Sequence, residues 1–162
     1  MTVIIPTFNE EGNIAAIIDA VNGVFQRSGI RGEILVVDDS SRDRTIPIVE
    51  EIAGRDGNVR LIVRKEDHGL SQSVVEGFSE AHSDILQVLD ADFSHPPELI
   101  AHFYEAIQGG ADIAIGSRYM KGGDIEQWPL KRRIISLGAT AFGRMLFPEV
   151  TDPVSGFFAV RR

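Results

Sequence analysis

Short apolar runs alternate with stretches of helical periodicity along most of this chain. The runs are rich in β-branched residues, and we predict one strand from each: Thr2 to Ile5, Glu33 to Val37, Val59 to Val63, Ile85 to Leu89 and Asp112 to Ile115. Strands that alternate with helices are typical of βαβ units. The pattern therefore predicts an α/β fold with a mainly parallel central sheet.

Four helices are predicted between and after these strands, because apolar residues recur at intervals of three or four. Their apolar faces carry Ile14, Ile17, Ile18, Val21 and Phe25, then Ile46, Val49 and Ile52, then Leu70, Val74 and Phe78, and finally Leu99, Ile100, Phe103 and Ile107. Asp43 is placed to cap the second helix. Pro96 and Pro97 lead into the fourth, and Gly109 with Gly110 ends it.

Length and composition narrow the possible functions. A chain of 162 residues fits one domain with a sizeable core, and 43% hydrophobic with 25% charged residues is ordinary for a globular protein. The absence of cysteine excludes disulfides, thiolate zinc sites and thiol nucleophiles. We find no signal-peptide pattern and no apolar run near the ~20 residues that a bilayer span needs, so we expect a soluble chain.

The charge is unevenly distributed. A formal net charge of −8 argues against binding of nucleic acid, which requires a basic face. Residues 118–144 are nevertheless basic, whereas the preceding part is acidic. An anionic ligand would therefore need a metal ion near the first part, and would find cations in place near the second.

The most informative motif is the DXD sequence that follows the fourth predicted strand. Asp90 and Asp92 are separated by one residue, and Ser94 continues the alternation. Alternate residues of an extended backbone point the same way, so these three side chains could offer oxygen atoms to one cation. A hard cation held by one or two carboxylates usually completes its shell with water and substrate phosphates. A pair of solvated acids at a strand end is the less specific interpretation.

Three other loops contribute polar residues at the same predicted edge of the sheet. Residues 6–11, 38–41 and 116–119 each follow a strand, as residues 90–94 do. Open α/β sheets bind ligands beyond the carboxyl ends of their strands. We therefore expect the four loops to form one binding site.

Several residues of these loops have two possible roles. Asp39 could accept hydrogen bonds from a nucleobase or ribose, or could start a turn into Ser40 and Ser41. Phe8 could stack on a base or belong to the core, and Asn9 could be only a helix N-cap. Glu10 is a candidate acceptor for the base or ribose.

The basic segment suggests phosphate binding. Arg118 lies where an arginine could clamp a diphosphate. A broadly apolar helix is predicted from Trp128 onward, with cations at its start. Such a helix could lie at a membrane surface or be buried in the core.

Taken together, the motifs resemble those of inverting GT-A glycosyltransferases of family 2, and within it the dolichyl- and polyprenyl-phosphate mannosyltransferases. The matching segments are IIPTFNEEGNI, EILVVDDSSRDRT, HGLS, LQVLDADFSHPPE, GSRY, WPLKRRIISLGA and DPVSGFFAVRR. The first three occur throughout the wider family, and the later ones are closer to the polyprenyl-phosphate branch. The resemblance implies a GT-A, Rossmann-like three-layer sandwich.

The resemblance also implies a role for individual residues. It assigns Pro6, Phe8, Glu10, Val37 and Asp39 to the base and ribose, and Asp90 with Ala91 to the ribose and diphosphate. Asp92 with Ser94 would hold Mg²⁺ or Mn²⁺. Arg118, Arg132 and Ser136 would hold the phosphate of the acceptor, with Arg133 as the alternative if the register is shifted by one.

The implied activity is transfer of mannose from GDP-mannose to a polyprenyl (dolichyl) phosphate, at the cytoplasmic face of a membrane. A phosphate acceptor needs no general base, whereas transfer to a sugar hydroxyl would need one, for which Asp152 is the candidate. Transfer of glucose from UDP-glucose remains open, as does a nucleotide-sugar binding module without catalysis. We expect residues 1–162 to form one catalytic domain that is truncated at its C-terminus, since family members continue beyond the SGFFAVRR segment.

Overall fold

A computed structural model describes residues 1–66, 68–117, 151–152 and 155–162. The strands are β1 (Thr2–Thr7), β2 (Glu33–Asp38), β3 (Val59–Val63), β4 (Ile85–Val88), β5 (Ile113–Ile115) and β6 (Phe158–Arg161). The helices are α1 (Ile14–Ser28), α2 (Thr45–Arg55), α3 (Leu70–Glu80) and α4 (Ile100–Gln108), the last preceded by a 3₁₀ turn at Pro97–Leu99. The prediction of alternating strands and helices is confirmed.

The strands form one sheet in the order β3-β2-β1-β4-β6-β5. β1 pairs in parallel with β2 and with β4, and β2 pairs in parallel with β3. β6 lies antiparallel between β4 and β5. The predicted α/β class with a mainly parallel sheet is therefore correct, but the sequence pattern missed β6. Its segment, FAVR, is short and follows a region without periodic strands, so it gives little signal on its own.

Helices cover both faces of the sheet, which gives the predicted three layers. The larger core lies between the sheet and the faces of α1, α2 and α4, and it includes Ile14, Ile18, Val49 and Phe103. The smaller core lies on the face that α3 covers, where Ile4, Leu35 and Val37 are buried. No helix of the described residues is long and apolar enough to cross a membrane.

The third helix differs from its prediction in the face that it buries. Its fully buried positions are Ser73 and Gly77, and Leu70 is 64% exposed. Gly77 permits this arrangement because α3 lies so close to β1 that a Cβ atom there would be 2.5 Å from Ile4 Cγ2. The apolar stripe predicted from Leu70 is thus wrong at its first residue, which lies beside a cleft instead.

Candidate active site

A cleft of about 260 Å³ opens at the carboxyl ends of β1, β2 and β4. Six of its ten lining residues are polar or acidic. The lining residues are Pro6, Thr7, Phe8, Glu10, Asp39, Leu70, Ser73, Asp90, Ala91 and Asp92. Three of the four loops that were expected to converge therefore meet at one site, because the parallel strands bring their carboxyl ends to the same edge.

The loops after β1 and β2 are joined by hydrogen bonds. Asn9 N donates to Ser41 Oγ at 2.8 Å, and Asn9 Oδ1 accepts from Arg42 N at 2.9 Å. Glu10 N donates to Thr45 Oγ1 at 2.8 Å. Asn9 thus connects the two loops and is not a helix N-cap, because α1 begins five residues later. These bonds hold Phe8 and Glu10 in place beside the cleft.

Each of the three loops also contains one non-glycine residue with a left-handed backbone. These are Asn9 (φ 58°), Ser40 (φ 60°) and Phe93 (φ 59°). This conformation is uncommon for residues with a side chain and clusters at functional sites in proteins. The bend at each position turns the chain back across the strand end.

The two aspartates at the end of β2 have different roles. Asp38 is fully buried, and its oxygens accept from Ser41 N at 2.7 Å, Ser41 Oγ at 2.6 Å and Thr7 Oγ1 at 2.8 Å. The turn into Ser41 is therefore closed by Asp38. Asp39, for which a turn was the alternative interpretation, instead points its carboxylate to the cleft.

Asp39 is bound by three donors from the connection between β3 and α3. Arg64 Nη1 lies 2.9 Å from Asp39 Oδ1, as does His68 Nδ1, and Gly69 N donates to Oδ2 at 2.7 Å. Burial by itself would raise the pKa of Asp39, but these hydrogen bonds and the charge of Arg64 outweigh it and hold the pKa below its usual value. Asp39 is therefore an ionised acceptor.

The loop after β4 is a turn and not an extension of the strand. β4 ends at Val88, and Asp92 Oδ1 accepts from Ser94 N at 2.9 Å. The predicted alternation of side chains along an extended backbone is therefore wrong for residues 90–94. The Ser94 side chain nevertheless lies near enough to the carboxylates of Asp90 and Asp92 to lower the pKa of each.

The carboxylates of this loop differ in their electrostatics. Burial raises the pKa of Asp90, and the negative charges of Asp92 and Glu10 raise it further, against the opposing effects of His95 and Ser94. Burial also opposes ionisation of Asp92, but hydrogen bonds from Ser94 keep its pKa below the usual value. Asp90, Asp92 and Glu10, with Asp39, make four acidic groups in one small cleft, where a cation would be stabilised.

Aromatic packing supports the loop from the side of the sheet. The ring of His95 stacks on Phe157 at a centroid distance of 4.6 Å, and Phe103 meets Phe157 edge-on at 4.7 Å. His95 Nδ1 lies 3.5 Å from Asp90 Oδ2. Gly116 fits against this cluster because a Cβ atom there would lie 2.5 Å from the ring of Phe157. The first residues of the GSRY segment and the SGF segment therefore pack beside the DXD loop.

The structure places most of the predicted site residues at the cleft, but not all of them. Pro6, Phe8, Glu10, Asp39, Asp90, Ala91 and Asp92 line the cleft, and Ser94 contacts its carboxylates. Phe8 is 57% exposed, so it does not belong to the core. The side chain of Val37 is buried in the smaller core and does not line the cleft. Arg118, Arg132, Arg133 and Ser136 lie outside the described residues.

The described residues suit a divalent cation that takes few protein ligands. No group of three or more histidines or acids in this part of the chain could hold a metal by itself. Asp92 is ionised and exposed, and the hydroxyl of Ser94 is beside it. A carboxylate with one hydroxyl fits Mg²⁺ or Mn²⁺ if phosphates and water complete the shell.

Sequence reasoning did not find Arg64, His68, Leu70 or Ser73. Arg64 and His68 touch Asp39, while Leu70 and Ser73 line the cleft. Two signals were available: the HGLS segment, which contains His68 and Leu70, and an apolar strand pattern that ends directly at Arg64, where an arginine needs a partner. That partner is 25 residues away in the sequence, so only the folded chain reveals it.

The fold and cleft define an α/β protein of the class that binds ligands at the carboxyl edge of a mainly parallel sheet. Comparison with known families is specific: the sequence profile of glycosyl transferase family 2 matches residues 2–162. The chain belongs to this family, and its fold is the GT-A fold. The resemblance inferred from the motifs is confirmed.

Individual relatives agree with this assignment. The chain is 47% identical over 165 residues to a dolichol-phosphate mannosyltransferase of Pyrococcus furiosus, an alignment that covers 100% of this chain and 46% of the relative. The chain spans about half the length of the curated relatives that it matches.

Two solved structures are similar. Mannosyltransferase PcManGT of Pyrobaculum calidifontis, in complex with GDP-Man and Mn²⁺, matches with 28% identity and a TM-score of 0.50 over 56% of this chain and 27% of its own. Glucosyl-3-phosphoglycerate synthase of Mycobacterium tuberculosis, with Mn²⁺ and UDP, matches with 22% identity and a TM-score of 0.71 over 99% of this chain and 56% of its own. The second likeness shows the fold alone.

Proposed function

We propose that this chain transfers a mannosyl group from GDP-mannose to the phosphate of a polyprenol. One observation carries the proposal: the three loops that end β1, β2 and β4 place an exposed aromatic ring and four carboxylates around one cleft. The relative from Pyrococcus furiosus, which is named a dolichol-phosphate mannosyltransferase, supports the choice of sugar and acceptor.

The cleft has the groups needed to bind a nucleoside diphosphate. Phe8 offers an exposed ring on which a base stacks, and ionised Asp39 accepts hydrogen bonds from base or ribose donors. Pro6 and Glu10 line the same cleft and would face the base and ribose, while Asp90 and Ala91, also in the lining, would face the ribose and diphosphate. Val37 contributes only through its backbone, because its side chain is buried on the α3 face.

The acidic cleft would repel a diphosphate unless a cation were bound with it. Asp92 and Ser94 would hold Mg²⁺ or Mn²⁺, and the structural relative from Pyrobaculum calidifontis contains Mn²⁺. A bound divalent cation would neutralise the charge that develops on the diphosphate as the sugar departs. The residues of the chain would then have to orient the donor and keep Asp92 ionised. Ser94 favours the ionised form of Asp92 because it lowers the pKa of that carboxylate.

A phosphate acceptor suits the residues available. It is ionised near neutral pH and needs no general base to attack the anomeric carbon from the face opposite the diphosphate. Asp152, the candidate base for a hydroxyl acceptor, is fully buried, which disfavours that alternative. In this proposal Arg118, Arg132 and Ser136 hold the acceptor phosphate, which offsets the repulsion between two anions. The acceptor lipid would place the reaction at the cytoplasmic face of a membrane.

The test measures mannosyl transfer from radiolabelled GDP-mannose to a polyprenyl phosphate in detergent with Mn²⁺, with UDP-glucose as the competing donor. We expect transfer with GDP-mannose only, and a loss of about 100-fold or more in kcat/KM in Asp92→Asn. Asp19→Asn is the matched control, since Asp19 is an exposed acid on α1 outside the cleft lining.

Three results would overturn the proposal or change it. Full activity in Asp92→Asn would remove the role of the DXD loop. Transfer from UDP-glucose but not GDP-mannose would make the chain a glucosyltransferase. Nucleotide binding without transfer to any lipid phosphate would leave a binding module.

A further inference from the structure

Arg64 is an unusual arginine because its charged side chain is almost entirely buried. Only 5% of the side chain is exposed, although arginine is among the residues that proteins most rarely bury without a partner. It follows directly after β3, the edge strand of the sheet. A buried charge of this kind must be compensated nearby.

Two carboxylates from different elements compensate it. Arg64 Nη1 lies 2.9 Å from Asp39 Oδ1 at the end of β2, and Arg64 Nε lies 2.8 Å from Glu76 Oε2 on α3. Arg64 Nη1 is also 3.4 Å from Ser73 Oγ, which lines the cleft. The guanidinium therefore ties the end of β2 to α3 at the cleft.

We propose that Arg64 is a positioning residue for the nucleotide: it fixes the carboxylate of Asp39 in one rotamer, so that Asp39 offers its remaining acceptor capacity to the base or ribose. The inference rests on the proposed function, because it assigns Arg64 to the nucleotide end of that same cleft. Arg64 acts through Asp39 and is outside the lining of the cleft.

The hydrogen bonds that the Asp39 carboxylate already accepts support this role. Its Oδ1 faces both Arg64 and His68, while its Oδ2 accepts one hydrogen bond, from Gly69 N. A carboxylate offers about four acceptor positions, so capacity remains for a ligand. The charge of Arg64 also favours the ionised form of Asp39 and so lowers its pKa.

The charged groups around Asp39 come from several elements. Arg64 and His68 contact it directly, Glu76 pairs with Arg64 Nε, and Glu10, Asp90 and Asp92 line the same cleft. Removing Arg64 takes away a permanent positive charge, so protonation of Asp39 would then begin at a higher pH.

The chain contains a matched control on the same strand. Arg60 lies near the start of β3 and pairs with Glu33 at the start of β2, with Nη1 and Oε1 2.6 Å apart. Arg60 and Arg64 thus each pair with a carboxylate of the neighbouring chain segment, at opposite ends of β2 and β3, although the Arg60 side chain is 34% exposed and that of Arg64 only 5%. Substituting Arg60 removes a structural ion pair of the sheet without touching the cleft.

The experiment measures the Kd of GDP and of UDP with Mn²⁺ by titration calorimetry between pH 7 and pH 5, for the wild type and the variants Arg64→Gln, Arg64→Lys and Arg60→Gln. For the nucleotide that the wild type binds more tightly, we expect Kd to rise about tenfold in Arg64→Gln at pH 7. The ratio to the wild-type Kd should grow further toward pH 5. Arg64→Lys should weaken binding but keep that ratio constant with pH, because the charge remains.

A purely structural role for Arg64 predicts something else: a lower melting temperature in both Arg64→Gln and Arg60→Gln, with Kd within twofold of the wild type. That result overturns the inference and leaves the proposed function intact.

If the wild type binds neither nucleotide, the proposed function fails, and the inference fails with it. If Arg64→Gln does not fold, Glu76→Gln replaces it. A rise of a few fold in Kd is then expected, and an unchanged Kd refutes the inference.

Discussion

The contact between α3 and β1 offers a direct test of how tightly the cleft is built. Replacing Gly77 by alanine would place a Cβ atom 2.5 Å from Ile4 Cγ2, 3.3 Å from Ile4 Cγ1 and 3.4 Å from Val37 Cγ2. Favourable contacts between carbon atoms lie near 3.5 to 4.0 Å, so the first distance is repulsive. Ile4 is fully buried in a strand that has a neighbour on each side, and it has little room to move.

The expected loss of stability follows from two opposing effects. Overpacking a core costs about 1–3 kcal/mol, whereas exchanging glycine for alanine inside a helix returns up to about 1 kcal/mol. We therefore expect Gly77→Ala to lower the free energy of unfolding by about 1 kcal/mol. For a protein of this size, that corresponds to a fall of about 2–4 °C in Tm.

Urea unfolding followed by circular dichroism measures this change, and Gly54→Ala is the control. Gly54 lies in α2, and a Cβ atom added there would meet no atom of another element within 4 Å. Alanine at that position should stabilise the protein by up to about 1 kcal/mol. If Gly77→Ala were stabilised like Gly54→Ala, α3 would not be pressed against β1, and the burial of Ser73 beside the cleft would lose its explanation.

Two further predictions concern acid stability and base binding. Burial opposes ionisation of Glu33, but hydrogen bonds from Arg60, Thr2 and His82 outweigh it and hold the pKa of Glu33 below its usual value. The stability that ionised Glu33 contributes is therefore present above its unfolded-state pKa and is lost as the pH falls through its folded-state pKa. Wild type and Glu33→Gln should differ in urea unfolding at pH 6, and the difference should disappear at acidic pH as Glu33 takes up a proton. Phe8→Ala should change stability by less than about 0.5 kcal/mol, because the ring is exposed, but weaken GDP binding about 5- to 100-fold in calorimetry. An unchanged Kd would mean that the base does not stack on Phe8.

Part of the candidate site could be predicted because its residues follow strands directly. Asp39, Asp90 and Asp92 each stand at or just after the end of an apolar run, and parallel strands bring such ends together. Arg64 and Ser73 could not be predicted in this way. Their roles depend on side-chain contacts between β2, β3 and α3, and no local pattern specifies which distant carboxylate a buried arginine meets.

The sequence by itself determined the class of fold, the positions of the strands β1 to β5 and the helices, and the acidic loops at the ends of the strands. Hydrophobic periodicity records which residues each element buries, and that information is local. Only the tertiary structure decided that β6 inserts antiparallel between β4 and β5, that α3 buries Ser73 and Gly77 in place of Leu70, and that Arg64 holds Asp39. These outcomes depend on packing and charge pairing between residues far apart in the chain. Such contacts form only when the chain folds, so no local pattern records them.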